Sequence, residues 1–305
     1  MASRTESTRR RILLTGHSGF TGHYVRRELE AAGHEVIGLA QAHAGSGPVD
    51  GLSVDLLDRA ALNEAVHAAA PDAVIHLAAI ASVAHDDVES LYRVNVAGTR
   101  NLLAALASLA QAPRAVILAS SANVYGNADV EPIDEDTPAA PSNDYAVSKL
   151  AMEHMARLWL DRLPITLVRP FNYTGVGQSV QFLIPKIVDH FRRGARVIEL
   201  GNIDVARDFL DVRAVAMAYA RLLARAPAGA VLNLCSGRAY TLAEVLAMMA
   251  EIAGYAIEVR VNPAFVRSHE VRRLVGSAAR LHDCIGALPE IAFVDTLRWM
   301  YAQPL

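Results

Sequence analysis

The stretch RILLTGHSGFTG at residues 11–22 decides the fold of this chain. A short apolar run leads into Gly16, Gly19 and Gly22, and a helical pattern follows directly. The first glycine permits a tight turn, the second lets the backbone approach a pyrophosphate, and the third lets the helix pack closely against the sheet. The amino end of that helix then faces negative charge. The stretch therefore predicts a strand, a turn and a helix that together bind a dinucleotide.

Outward from this turn, as far as Arg169, short apolar runs alternate with longer helical patterns. This alternation is typical of βαβ units that feed a parallel sheet, whose strands are apolar because both faces are buried. It predicts an α/β fold with a Rossmann-type, doubly wound parallel sheet. The predicted strands are residues 11–15, 35–40, 52–55, 73–77, 114–120 and 165–169, and the predicted helices are residues 22–32, 58–69, 91–110 and 145–163.

Beyond Arg169 the regular alternation ends, and loops join short strands to helices near 182–193, 212–225, 241–251 and 294–301. This pattern predicts a smaller C-terminal α/β lobe. We expect a disordered tail at 1–10, a dinucleotide-binding domain at 11–170 and a substrate lobe at 171–305, partly interleaved with the first domain. The acidic stretch 127–143 has no periodicity and predicts a surface loop.

Composition excludes several classes of function. The chain has 305 residues, with 29 Lys plus Arg against 32 Asp plus Glu, and the basic patch of a nucleic-acid binder is missing. No run of about 18 apolar residues exists to span a membrane. Cys235 and Cys284 are too few for a disulfide framework, which favours the cytoplasm. No histidine, cysteine and carboxylate cluster has metal-ligand spacing, so we expect no metal.

The end of the second strand bears on the choice of cofactor. An acidic residue there would accept hydrogen bonds from the adenosine ribose of NAD, but residues 39–43 read LAQAH. This sequence favours NADP(H), with NAD(H) as the other possibility. Asp55 ends the third strand, where its carboxylate would either read the adenine amino group or cap the helix that starts near Asp58.

A catalytic group is indicated by Ser121, Tyr145 and Lys149. Tyr145 and Lys149 lie four residues apart on one helix face, and Ser121 ends the fifth strand at the edge of the sheet where ligands bind. A tyrosine has an unperturbed pKa of about 10, and an adjacent ammonium favours its phenolate. Ser121 can hold the same substrate oxygen that Tyr145 protonates. A Tyr and a Lys at this spacing also occur by chance, and the glycine turn and Ser121 are what favour the catalytic interpretation.

At these residues the chain resembles the extended short-chain dehydrogenase/reductase family, in its nucleotide-sugar branch. Further matching stretches are HLAA at 76–79, Asn95 and RPFNYTG at 169–175. The second half resembles the GDP-4-keto-6-deoxy-D-mannose reductases of that branch. The stretches that carry this likeness are GN at 201–202, RDFLDVR at 207–213, NLCSG at 233–237 and RSHEV at 267–271.

The resemblance implies which residues surround the two ligands. Those implied for the cofactor are Gly16, Ser18, Gly19, Phe20, Thr21, Gly22, Asp55, Leu56, Leu77, Ala78, Ala79, Asn95, Ala119, Tyr145, Lys149 and Phe171. Those implied for the substrate are Ser82, Ser121, Tyr145, Asn172, Lys186, Leu200, Arg207, Arg267 and Glu270.

Individual roles follow from the same resemblance. Asn172 would face the diphosphate and the sugar. Arg207 and Arg267 would neutralise the diphosphate, and Glu270 would accept a hydrogen bond from a ribose hydroxyl. Lys186 and residues 197–200 would line the base pocket. Each arginine taken singly is as well explained by a surface ion pair, and Ser82 either binds the sugar or caps a turn.

The family implies a reductase that transfers hydride from NAD(P)H to the 4-keto group of a GDP-linked 4-keto-6-deoxyhexose, giving GDP-rhamnose or GDP-6-deoxytalose. Ala122 and Asn123 stand where dehydratases of the family carry acids, which disfavours dehydration. A nucleotide-sugar 4-epimerase with bound NAD and a non-catalytic NADP(H)-binding protein remain alternatives. The base (GDP, CDP or dTDP) and the stereochemistry at carbon 4 stay open. The family also implies a homodimer through a four-helix bundle formed by the helices at 91–110 and 145–163.

Overall fold

The computed structural model describes residues 9–41, 51–81, 87–225, 227–266 and 271–303. Its helices are α1 Phe20–Ala31, α2 Arg59–Ala69, α3 Val88–Tyr92, α4 Thr99–Ala107, α5 Asp144–Arg157, α6 Leu183–Arg192, α7 Val212–Arg225, α8 Leu242–Ala253, α9 Ala279–Ile285 and α10 Phe293–Ala302. Its strands are β1 Arg11–Thr15, β2 Glu35–Ala40, β3 Leu52–Ser53, β4 Ala73–His76, β5 Val116–Ala119, β6 Ile165–Pro170, β7 Asn172–Thr174, β8 Val197–Leu200, β9 Ala206–Asp211, β10 Val231–Leu234, β11 Ala239–Thr241, β12 Glu258–Val261 and β13 Arg273–Leu274.

In the described part of the chain, seven strands form one sheet in the order β10-β6-β5-β4-β1-β2-β3. The order reverses between β1 and β4, which pair in parallel, and this is the point at which doubly wound sheets bind ligands outside their carboxyl ends. The predicted Rossmann-type α/β fold is confirmed. Its strands read as apolar runs because helices cover both faces.

Contacts group the chain into two compact units. One consists of the residues up to Ser121 with Asp144–Arg169 and Ala216–Leu232, and the other of Ala122–Asn143, Pro170–Val215 and the residues from Asn233 onwards. Of the tail expected at 1–10, residues 1–8 lie outside the described residues, and the Arg10 guanidinium donates to the Leu223 carbonyl at 2.9 Å.

The core of the first unit lies between its sheet and its helices. Fully buried leucines and valines of α2 and α4, such as Leu62, Val66, Leu102 and Leu106, pack with the strands of the sheet. Each buried side chain of this kind stabilises the fold by about 1.5–3 kcal/mol. This core holds the carboxyl ends of the strands, and the turns that follow them, in fixed positions.

Two helices differ from the sequence prediction. The helix predicted at 91–110 is divided into α3, a π-helical segment at Arg93–Gly98 and α4. The helix predicted at 145–163 ends at Arg157, because the next amides bond three residues back instead of four, as Leu158 does to Met155. Both changes depend on local hydrogen bonding that hydrophobic periodicity does not report.

The second unit contains two small sheets among its described residues. β9 pairs with β7, β11 and β13, and β8 pairs with β12. Its core joins α6, α8 and α10, and the stacked rings of Phe209 and Phe293 lie 5.1 Å apart. The loop predicted at 127–143 is anchored, since Ile133 donates to the Val275 carbonyl and Glu135 accepts the Asn233 amide. No helix in the described ranges is long and apolar enough to cross a membrane.

Candidate active site

The glycine turn has the geometry that a pyrophosphate requires. Gly16 adopts φ +70°, and a Cβ there would lie 2.8 Å from the Ala78 amide nitrogen. A Cβ on Gly22 would lie 2.1 Å from the Gly16 carbonyl oxygen, so both positions exclude larger residues. Gly19, the residue just before α1, has no side chain that could cap the helix. The amides at the start of α1, beside Ser18, Phe20 and Thr21, therefore fit a bound diphosphate.

Asp55, which is predicted to lie near the adenosine, follows β3. Its Oδ1 accepts the Leu57 amide at 2.8 Å, and its Oδ2 accepts the Gln41 side chain at 3.1 Å. Asp58 caps α2 instead, because its Oδ1 accepts the Ala60 and Ala61 amides at 3.1 Å. Asp55 is predicted either to read the adenine amino group or to cap α2. Asp58 performs the capping, so the second role does not apply to Asp55. Leu56 packs against Gly98, and residues 42–50 lie outside the described residues.

A buried hydrogen-bond chain joins the ends of β1 and β4 to the π-helical segment. Thr99 donates its hydroxyl proton to the Asn95 carbonyl at 2.8 Å, so its oxygen accepts from Nε2 of His76 at 2.9 Å. Nδ1 of His76 is then the acceptor for the Thr15 hydroxyl at 2.6 Å. The Ala78 amide donates to the same Thr15 oxygen at 3.2 Å. These hydrogen bonds position the HLAA stretch, including Leu77 and Ala79, beside Gly16.

His76 is neutral in this chain of bonds. Burial lowers the pKa of His76 to about 3, and the nearby charge of Lys149 lowers it further. A neutral ring is what the hydrogen bonding requires, because Nδ1 must accept while Nε2 donates. His76 is therefore a packing and positioning histidine. Among the described residues, no group of side chains that could hold a metal ion occurs.

Asn95 connects that chain of bonds to α5. Its Oδ1 accepts the Ile80 amide at 2.9 Å, and its Nδ2 donates to the Ile80 carbonyl at 3.1 Å and to Ser148 Oγ at 3.0 Å. Ser148 in turn donates to the Tyr145 carbonyl at 2.8 Å. A π-helical turn often marks a functional site, and here it turns Asn95 inward. Its amide fixes the loop after β4 to the helix that carries Tyr145.

Ser121, Tyr145 and Lys149 are all buried in the first unit, with 5%, 8% and 5% of their surfaces exposed. Ser121 lies two residues after the end of β5, and Tyr145 and Lys149 lie one turn apart on α5. The Lys149 ammonium donates to the carbonyl of Ala119, at the end of β5, at 2.9 Å. Burial lowers the pKa of Lys149 to about 8, and the Glu153 carboxylate partly opposes that shift. The lysine is thus held at the edge of the sheet where Ser121 emerges.

The second unit carries the remaining expected residues. The side-chain nitrogen Nδ2 of Asn172 is buried and has no hydrogen-bond partner among the described residues. Lys186 donates to the Glu199 carbonyl at 2.7 Å and lies 4.6 Å from the centre of the Phe265 ring. Arg207 donates to the Ala206 and Arg272 carbonyls at 3.0 and 3.1 Å.

The other expected residues of this unit are packed or lie beyond the described ranges. Leu200 is 4% exposed and its carbonyl accepts the Asn262 amide, so its side chain belongs to the core. Phe171 donates its amide to the Leu234 carbonyl, and its ring lies 6.3 Å from that of Tyr125. Ser82, Arg267 and Glu270 lie outside the described residues.

Sequence reasoning missed a buried group beside the predicted catalytic residues. Glu153 lies on α5 one turn beyond Lys149, is 0% exposed and bonds to Arg169 and Ser120. The available signal was a glutamate on the inward face of an amphipathic helix, together with an arginine in the apolar strand ITLVRP. Unlike charges at such positions indicate a buried ion pair.

Comparison with known proteins places these residues in context. The sequence profile of the family described as "NAD dependent epimerase/dehydratase family" matches residues 12–235. The GDP-6-deoxy-D-mannose reductase of Pseudomonas aeruginosa is 38% identical over 299 residues, covering 94% of this chain and 95% of that protein. The GDP-6-deoxy-D-talose 4-dehydrogenase of Aggregatibacter actinomycetemcomitans is 32% identical, covering 90% of this chain and 91% of that protein.

The fold of this chain is also similar to solved structures. A Burkholderia cenocepacia J2315 protein, described as an epimerase candidate, has a TM-score of 0.90 and 52% identity, covering 96% of this chain and 97% of that one. RMD from Pseudomonas aeruginosa, solved with NADPH, has a TM-score of 0.84 and 37% identity, with the same coverage of each chain.

Proposed function

This chain belongs to the NAD-dependent epimerase/dehydratase family, within the extended short-chain dehydrogenases/reductases, and we propose that it is a nucleotide-sugar 4-reductase. Its substrate is a GDP-linked 4-keto-6-deoxyhexose, and its product is GDP-rhamnose or GDP-6-deoxytalose. The observation that carries the proposal is that two relatives named for oxidoreductase chemistry on GDP-6-deoxyhexoses align with at least 90% of the chain. The buried Ser121, Tyr145 and Lys149 supply the chemistry.

Each catalytic side chain has a distinct task in the proposed reaction. The nicotinamide, when bound, supplies the hydride for carbon 4 of the sugar. The Tyr145 hydroxyl donates its proton to the carbonyl oxygen as that oxygen becomes an alkoxide. Ser121 donates a hydrogen bond to the same oxygen and orients the ketone. Lys149 stabilises the phenolate that Tyr145 leaves and would hold the nicotinamide ribose.

We propose NADP(H) as the preferred cofactor, with NAD(H) as the alternative. The first described residue after β2 is Gln41, a neutral side chain where NAD-selective folds place an acid. The relative solved with NADPH is consistent with this preference. The glycine turn and Asp55 are available for either dinucleotide.

The substrate side of the proposal rests on the second unit. The buried Asn172 amide without a described partner needs an acceptor, and an oxygen of the substrate diphosphate or sugar would supply one. Arg207 and Arg267 would neutralise the diphosphate, Glu270 would accept a nucleoside ribose hydroxyl, and Ser82 would face the sugar. Lys186 and the backbone beside Leu200 would border the base.

A nucleotide-sugar 4-epimerase remains the second candidate, because the 52% identical Burkholderia cenocepacia structure is described as an epimerase candidate. Dehydration is disfavoured, since Ala122 and Asn123 offer neither a base nor an acid after Ser121. We further propose that the protein works in the cytoplasm, in keeping with a sequence that contains only two cysteines, Cys235 and Cys284.

Consumption of reduced nicotinamide tests the proposed function. Purified protein is mixed with GDP-4-keto-6-deoxymannose and either NADPH or NADH, and absorbance is followed. We expect one reduced nicotinamide to be oxidised for each keto sugar, faster with NADPH. Tyr145→Phe removes the proton donor and lowers turnover about 10²–10⁴-fold while cofactor affinity is retained. No consumption, with NAD bound to the purified protein and slow interconversion of two reduced sugars, would assign an epimerase.

A further inference from the structure

A buried ion pair lies directly behind the catalytic residues. Glu153 is 0% exposed and Arg169 is 5% exposed. Arg169 Nε donates to Glu153 Oε1 at 2.8 Å, and its terminal nitrogen donates to Oε2 at 2.6 Å. Two charges removed from water cost the fold stability unless each is fully bonded, and a hydrophobic pair would often serve stability better. The pair therefore calls for a reason beyond stability.

The pair is bonded to the strand end that presents Ser121. The Ser120 hydroxyl donates to Glu153 Oε1 at 2.6 Å, and the Ser120 amide donates to the Val168 carbonyl at 2.7 Å. Ser120 immediately precedes Ser121, so the carboxylate joins the end of β5 to α5 and, through Arg169, to β6. A displaced Glu153 would move the peptide that carries the Ser121 hydroxyl.

The same carboxylate acts on Lys149. The two residues are four apart on α5, and so they lie on one helix face. Burial lowers the pKa of Lys149 to about 8, and the charge of Glu153 raises it. His76, on β4, is neutral and supplies no compensating negative charge.

Other charged groups near α5 face water. Glu89 on α3 and Arg93 on the π-helical segment have side chains that are 83% and 60% exposed, and Arg100 on α4 is also exposed. On α5 itself, Asp144 accepts the Tyr92 hydroxyl, and Arg157 lies 3.6 Å from Glu153 with its side chain 39% exposed. Solvent screens these groups far more than it screens the buried carboxylate.

We propose that Glu153 is a positioning residue of the active site: its carboxylate fixes Ser120, and thereby Ser121, and keeps the Lys149 ammonium charged. The inference rests on the proposed reductase function, in which Lys149 must stay cationic to stabilise the Tyr145 phenolate. Arg169 holds the carboxylate in place through two parallel bonds, a geometry that arginine and carboxylate suit well.

The charge on Lys149 can be measured without substrate, because the chain contains only two lysines, Lys149 and Lys186. In full-length protein labelled with ¹³C at lysine Cε, two signals are followed against pH, and Lys186→Arg assigns them. We expect the Lys149 midpoint near pH 8 in the parent protein. Glu153→Gln keeps the shape and removes the charge, and it should lower that midpoint by about one pH unit.

Two controls separate charge from position. Arg157→Gln removes a half-exposed charge that lies beside the same carboxylate. Because water screens that charge, the Lys149 midpoint should stay within a few tenths of a pH unit of the parent value. Ser120→Ala removes the neutral hydrogen bond and should leave the midpoint unchanged while it lowers kcat roughly tenfold with little change in KM. An unchanged kcat in Ser120→Ala would overturn the positioning of Ser121.

Folding of Glu153→Gln is checked by circular dichroism. If that variant does not fold, Glu153→Leu with Arg169→Leu replaces both charges by apolar groups, an exchange that buried pairs often tolerate. A smaller fall of the Lys149 midpoint is then expected, because the Arg169 charge, which disfavours the lysine cation, is removed together with the Glu153 charge. A folded variant of either kind with an unshifted midpoint would overturn the inference. The titration needs no sugar, so its outcome is independent of whether the reductase activity is found.

Discussion

Lys149 shows at the scale of one residue how function opposes stability. Its ammonium is buried, bonded to the Ala119 carbonyl at 2.9 Å, and burial lowers its pKa from 10.5 to about 8. A buried cation with a lowered pKa destabilises the folded state below that pKa, because the unfolded chain holds the same proton more tightly. The fold tolerates this cost at a position where the proposed reaction needs a positive charge.

Lys149→Met is therefore expected to inactivate the enzyme and to stabilise it. Below pH 8 the parent protein buries a lysine cation, and the variant avoids that cost in stability. The gain is partly offset by the loss of the hydrogen bond to Ala119. We expect the free energy of unfolding at pH 7 to rise by about 1–2 kcal/mol. Urea denaturation measures it, with Lys186→Met as the matched lysine replacement. A Lys149→Met protein that unfolds at lower urea than the parent would contradict this.

At the scale of single elements, the sequence predicted whether a segment is a helix or a strand better than it predicted the geometry within a helix. The strands at 11–15 and 35–40 and the glycine turn agree with the structure, because apolar runs and glycine spacing report them directly. The predicted helix at 91–110 is instead interrupted by the π-helical segment, which follows from the bonds of Asn95 and Thr99 to distant residues. Such long-range polar bonds leave no periodic signal in the sequence.

The His76 hydrogen-bond chain predicts a pH-dependent stability of the elements that it joins. The pKa of folded His76 is about 3, below its ordinary value of 6.5, so the unfolded chain binds a proton that the folded chain does not. Stability should rise with pH between these values and be lost as pH falls through them. We expect this residue to account for about 2 kcal/mol of the stability lost between pH 7 and pH 5.

His76→Gln removes that titration. Urea denaturation at pH 7 and pH 5 should show the variant losing about 2 kcal/mol less than the parent over this interval, whatever its stability at pH 7. The parent and the variant share every other histidine and carboxylate, so the difference isolates His76. An equal loss in the two proteins would show that the ring is not held neutral.

At the scale of the whole molecule, the predicted catalytic residues lie in the first unit, together with every predicted cofactor residue except Phe171. Three expected substrate residues, Ser82, Arg267 and Glu270, lie outside the described residues, and their roles stay proposals. The sequence signal for the pair of Glu153 and Arg169 was weak, because each is an ordinary surface residue by type. Only tertiary packing buries them together.

The expected homodimer is a prediction at this scale. Val88 on α3 and Val147 on α5 are 40% and 38% exposed, and a second copy would cover them in a four-helix bundle. We expect light scattering to give twice the mass of 32.8 kDa. Val147→Glu should give a monomer, whereas Val261→Glu, at a valine that is 52% exposed on β12, should stay dimeric. A monomeric parent protein would contradict the prediction.

Transfer of a labelled hydride tests the central claim most directly. The protein is incubated with GDP-4-keto-6-deoxymannose and NADPH carrying deuterium at both positions of nicotinamide carbon 4, and the sugar product is examined by mass spectrometry and NMR. The account predicts one deuterium at carbon 4 of a GDP-6-deoxyhexose, and no such transfer with Tyr145→Phe over the same time. Deuterated NADPH left unconsumed, with no deuterated GDP-6-deoxyhexose formed, would contradict it, since an epimerase draws no hydride from added NADPH.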